Sequence, residues 1–152
     1  MTRTAPVKTE AVKTIRLILL ITVVSGMIGL EAELFLLGHI KPLLQLVPVL
    51  LIAFGLGAIA WHRISPGSRT MKLFQATMAL CIASGFIGIV VHLAFSASEA
   101  TKKDKTLHGI TLFRVALTGV APPFAPAAMI QIGLVGLAYA FRHPALDGEG
   151  NN

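Results

Sequence analysis

Apolar and polar positions alternate along this chain in long blocks rather than at helical or strand period. Four apolar runs stand out: Leu17 to Leu37, Leu43 to Trp61, Leu73 to Phe95 and Val115 to Phe141. A bilayer's hydrocarbon core takes roughly 20 apolar residues as a helix, and each run meets that length. Glu31 and Glu33 are the only charged residues of the first three runs. The pattern predicts an all-α integral membrane four-helix bundle, with spans at about 15–37, 42–62, 71–95 and 115–142. These lie in one membrane domain over 15–146, with a disordered basic tail over 1–14 and a second disordered tail over 147–152.

The connections follow from turn chemistry. Gly38-His39-Ile40-Lys41-Pro42 closes the first hairpin tightly, and Ser65-Pro66-Gly67-Ser68 marks the turn between hairpins. The second hairpin has a longer loop, in which Leu107, Ile110, Arg114 and Leu117 have helical spacing. This predicts a short helix at the outer interface before span four. Pro122, Pro123 and Pro126 then break or kink the chain, because proline lacks an N–H and clashes with the preceding turn.

Composition agrees with the pattern. Of 152 residues, 55% are apolar and 13% charged, and the mean hydropathy is +0.78. Soluble domains carry about 25% charged residues, so this deficit argues against a soluble or disordered chain. The net charge of +6 does not indicate nucleic acid, since the basic residues sit in short segments between apolar runs with no interleaved aromatics. The single cysteine, Cys81, excludes a disulfide framework.

The basic residues set an expected orientation. With the N-terminus inside, eight lie on the inner side (Arg3, Lys8, Lys13, Arg16, Arg63, Arg69, Lys72 and Arg142) and five outside (Lys41, Lys102, Lys103, Lys105 and Arg114). Both termini are therefore expected in the cytoplasm of a bacterium, with the spans in its inner membrane. The run after Arg16 is long for a signal peptide and no small-residue cleavage site follows it, so it reads as a retained helix.

The two hairpins resemble copies. Ser25-Gly26-Met27-Ile28-Gly29 matches Ser84-Gly85-Phe86-Ile87-Gly88 at an offset of 59 residues. Pro48, Ile52, Gly55 and Leu56 match Pro126, Ile130, Gly133 and Leu134 at an offset of 78. Both copies would start on the same side, as parallel repeats. Ser25 with Gly29, Ala53 with Gly57, Ser84 with Gly88, and Gly136 with Ala140 are small-xxx-small pairs, one per span. Small residues let helix backbones approach in lipid, so Ser25, Gly26, Gly29, Ser84, Gly85, Gly88, Gly133 and Gly136 are expected to pack helices.

The offset of 59 residues superposes Glu33 on His92, each at the outward end of a small-residue stripe. A carboxylate in a span needs a partner, and His92 is the candidate. Glu31 points about 140° away and reaches the outer interface or another subunit. With His39, Glu99 and His108 on the same side, these residues have the ligand types of a metal site, although no His-Glu-x-x-His or Glu-x-x-His spacing is present. Three readings stay open for Glu33 and His92: a structural hydrogen bond, a metal ion, or a proton or substrate path. His62 and His143, with Trp61 and Tyr139, read as inner interfacial anchors, since a bis-histidine haem would need both rings within the bundle. Gln131, off the glycine face of span four, is expected against a partner.

Ala116-Leu117-Thr118-Gly119-Val120-Ala121-Pro122-Pro123-Phe124-Ala125-Pro126, the Gly133 to Leu137 stretch and Arg142-His143-Pro144-Ala145-Leu146 resemble the end of a family of small bacterial four-span proteins with no assigned activity. Ser84-Gly85-Phe86-Ile87-Gly88 followed by His92 is similar to its third span, whereas Ser96-Ala97-Ser98-Glu99-Ala100 stands where that family has an acidic, asparagine-containing stretch. The resemblance implies a fold and no reaction. No serine–histidine–aspartate set, phosphate loop or nucleotide fingerprint appears, which points away from an enzyme. No cofactor is expected beyond the metal ion considered above. The leading expectation is a non-catalytic packing or accessory component that forms a homo-oligomer or joins a larger membrane complex. The alternatives are the outward metal or substrate site on Glu33 and His92, and a small oligomeric transporter.

Overall fold

The computed structural model describes residues 4–36, 43–119 and 123–149. The described residues form α1 (Thr4–Leu36), α2 (Leu43–Ile64), α3 (Ser68–Lys103), α4 (Gly109–Leu117), α5 (Phe124–Ala140) and a short 3₁₀ helix (Pro144–Glu149), with no strand among them. Three stretches are long and apolar enough to cross a membrane: Glu10–Leu36, Leu46–Ile64 and Ser68–Lys103. The fourth apolar run is not one continuous helix. It divides into α4 and the 17-residue α5, with Pro123 capping α5, as the proline cluster predicts.

Helix ends differ from the sequence expectation in a consistent way. Helix α1 begins at Thr4, so most of the stretch expected as a tail is helical. Proline is tolerated in the first helical turn, where Pro6 lies, and Lys13 pairs with Glu10 one turn away at 2.9 Å. Helix α3 runs eight residues beyond Phe95. There Thr101 returns its hydroxyl to Ala97 O and Lys102 pairs with Glu99, so a polar helix continues past the apolar run. At the other terminus Pro144–Glu149 is a 3₁₀ helix rather than an irregular tail.

The helices run up and down, and the turn between α2 and α3 is tight. Ser65 N–H donates to Trp61 O at 2.8 Å and Met71 N–H to Gly67 O at 3.2 Å. Helix α3 is the spine, packed most extensively on α5 and next on α2. Helix α1 packs on α5 more than on α2, its neighbour in sequence. Val23, Met27, Leu30, Leu34, Ile52, Phe74, Met78, Cys81 and Met129 form the core. Met27, Met71, Met78 and Met129 are all buried, where the flexible thioether fills gaps between helices.

The small residues divide by hairpin. A Cβ built at Gly85 would lie 2.6 Å from Pro126 O, and one at Gly133 would lie 2.7 Å from Met78 O. Gly88 faces Pro126 and Gly136 faces Met78. The seam between α3 and α5 is thus closed to any side chain. In the first hairpin Ser25, Gly29, Ala53 and Gly57 are exposed, and Gly29 and Gly57 have nothing within 4 Å of a Cβ.

Candidate functional site

A cleft of about 660 Å³ lies among all four long or apolar helices. Leu30 and Leu34 of α1, Val47, Pro48 and Leu51 of α2, Leu80 to Phe95 of α3, and Pro126 and Met129 of α5 line it. Helices α2 and α3 meet closely near their shared turn. Midway along α2, a Cβ at Gly55 would meet the Met27 side chain of α1 and the Met78 side chain of α3. Helices α2 and α3 leave the cleft between their far ends. Ser84 and His92 are its polar side chains.

Glu33 lies elsewhere. With Thr22, Gly26, Gln131 and Val135 it lines a smaller groove of about 230 Å³ between α1 and α5. Gly26 faces Ile132 of α5, while Gly29 lies outside this groove with nothing within 4 Å of a Cβ. Glu33 therefore shares its groove with Gln131, and His92 sits in the other groove. The structure does not gather the expected ligands in one place. Glu99 pairs with Lys102 at 2.6 Å. His108 is exposed at the N-cap position of α4 without capping it through its side chain. His39 lies outside the described residues. Among the described residues, no group of three or more His, Cys, Asp or Glu could hold a metal ion. Glu31 is half-buried, and its Oε2 is enclosed with no hydrogen-bond partner among the described residues.

The strongest polar constellation is one the sequence reading assigned to anchoring. At the end of the bundle holding the start of the α1 span and the end of α5, His62 is 5% exposed and Tyr139 4%. The Thr70 hydroxyl donates to Gly67 O at 2.9 Å, so His62 Nδ1–H must donate to Thr70 Oγ1, 2.8 Å away. The His143 ring stands 5.2 Å from His62 and 5.4 Å from Tyr139, centroid to centroid. Phe74 stacks edge-on against Tyr139 at 6.0 Å. Ala145 N–H donates to His143 Nδ1 at 3.3 Å, which leaves its hydrogen on Nε2. Burial first, then the charges of His62 and Arg16, hold His143 below the ordinary histidine range. Arg16 Nη2 donates to the Arg142 carbonyl, tying α1 to the end of α5. Tyr139 packs against Phe74 of α3, and His62 is held at the α2–α3 turn by Thr70. Only Trp61, 56% exposed, is placed as an interfacial anchor should be.

The chain matches no protein-family model, no curated protein and no solved structure.

Proposed function

We propose that this protein is a non-catalytic, multi-pass component of a bacterial inner membrane that works by associating with other membrane helices, in the first place those of a second copy. Helix α5 makes the fourth crossing, and the distribution of Lys and Arg favours both termini in the cytoplasm. The observation that carries the reading is the outward small face of the first hairpin. Ser25, Gly29, Ala53 and Gly57 are exposed, and a Cβ at either glycine meets nothing. In lipid no hydrophobic force drives helices together, and close backbone approach at such residues supplies the packing instead. The Ser25 hydroxyl is already satisfied by Ile21 O at 2.7 Å, so burial against another helix strands no donor.

Gly29→Leu and Gly57→Leu leave the fold intact, since both sites are open, and weaken association of labelled chains in vesicles. Unchanged association in both variants contradicts the reading. A second reading is favoured by the cleft, whose 660 Å³ lies within the roughly 300–1,000 Å³ typical of ligand sites. It would hold an apolar molecule against α3 with His92 as the polar contact. Loss of a co-purified lipophile in Ala83→Phe, which fills the cleft, is its test.

A further inference from the structure

The groove between α1 and α5 holds two polar side chains that the bundle leaves unmatched. Glu33 and Gln131 both line it, and both are exposed. Among the described residues neither takes part in a hydrogen bond or an ion pair. Elsewhere a glutamate finds a cation one turn away, as Glu10 does at Lys13 and Glu99 at Lys102. Glu33 has no such neighbour on its own helix, because the last basic residue of α1 is Arg16, at the other end of the apolar stretch.

Glu33 stands one turn before the end of the Glu10–Leu36 span, and Gln131 lies midway along α5. Acyl chains offer neither group a partner, and a carboxylate or amide left alone among them is costly. Val23, Leu30, Ile132 and Val135 supply apolar walls around the two. Contacts made there are shielded from water once the groove is covered. At about 230 Å³ the groove admits side chains, not a helix, which is 10–12 Å across.

The pair is self-complementary. A carboxylate only accepts hydrogen bonds, and the amide nitrogen of glutamine donates two. Two copies of one membrane chain insert in the same orientation, so a twofold axis relating them runs along the membrane normal and keeps every residue at its own depth. Residues bordering one groove then meet reciprocally across the axis, as in any isologous contact. Carboxylate facing carboxylate would repel, whereas carboxylate facing amide bonds twice over. Gly29, one turn before Glu33, has nothing within 4 Å of a Cβ, so a second backbone can come near enough for these side chains to reach.

We propose that Glu33 of one copy accepts a hydrogen bond from Gln131 of a second copy, and the reverse, which makes the α1–α5 groove the polar lock of a symmetric dimer. This rests on the self-association proposed above and adds the residues that fix its register.

The test uses the full chain, labelled in two colours in phosphatidylcholine vesicles, with fluorescence transfer followed over lipid dilution. Glu33→Leu and Gln131→Leu change exposed positions and leave the melting temperature unchanged. Each is expected to weaken association about fivefold. Exchanging the pair in one chain, Glu33→Gln with Gln131→Glu, restores association to within about twofold of wild type, a rescue that a merely structural role for either residue does not give. Wild-type association that survives both leucine variants within about twofold overturns the lock and leaves the self-association standing. Loss in Glu33→Leu with none in Gln131→Leu assigns the carboxylate to a different partner and overturns the lock, as does weakening in both that the exchange fails to rescue. Absence of transfer in the wild type overturns the lock and the self-association together.

Discussion

The two hairpins carry matching small residues and differ at only some of them: Gly26 and Gly55 of the first are packed within the chain like their counterparts Gly85 and Gly133, whereas Gly29, unlike Gly88, is open. In the second, Gly85, Gly88, Gly133 and Gly136 are pressed against α5 or α3 within the chain. In the first, Gly29 and Gly57 face away from everything in the chain, and α1 leans on α5 instead of α2. A small-residue pair in a membrane helix therefore marks a place where a backbone can approach. Whether the approaching backbone belongs to the same chain depends on how the helix is rotated. The second hairpin is a finished seam, and the first presents unused surface.

Breaking the seam has the largest expected effect. Gly85→Ala and Gly133→Ala each drive a methyl into a backbone carbonyl, 2.6 Å away at Pro126 and 2.7 Å at Met78. Each costs about 3 kcal/mol of stability, read from denaturant titration in mixed micelles. Next comes the polar tie at one end of the bundle. Thr70→Val leaves the buried His62 Nδ1–H without its hydroxyl partner and costs about 2 kcal/mol in the same assay. Gly55→Ala sharpens the comparison, because its new methyl meets only the flexible ends of Met27 and Met78. It costs less than about 1 kcal/mol.

A pH dependence follows from His143. Its folded value lies below the ordinary 6.5, so the unfolded chain takes up the proton first. The stability it contributes is complete above that ordinary value and is lost as pH falls from there through the folded value. Melting temperature therefore drops on acidification, and His143→Phe flattens that drop. The groups acting on His143 are Arg16, His62 and Tyr139, so protonation adds a charge beside an existing cation.

The three helices long and apolar enough to cross a membrane were legible because they stand as unbroken apolar runs, and the break before α5 was legible because proline forbids the continuing hydrogen bond. The polar helix ends were not. Thr4 to Glu10 and Ser96 to Lys103 are helical in mixed polar sequence, where hydropathy carries no signal. The repeat aligned Glu33 with His92 by position, yet sequence offset does not fix helix rotation. Helix α1 turns its Gly26 face to Ile132 of α5, which brings Glu33 beside Gln131, while His92 lines the cleft shared by α1, α2, α3 and α5. The sequence places His62 and His143 at one end as separate anchors and does not show them in contact, for a related reason. His62 and His143 are 81 positions apart, and only the fold shows that their rings meet.

The most direct test of the outward face is fluorescence transfer between labelled full-length chains in vesicles, followed over increasing lipid dilution. The wild-type chain should show transfer that falls on dilution, and Gly29→Leu should fold normally while losing most of it. Transfer absent from the wild type at every dilution, or undiminished in a combined Gly29→Leu, Gly57→Leu variant, would contradict the claim that the first hairpin exists to meet another helix.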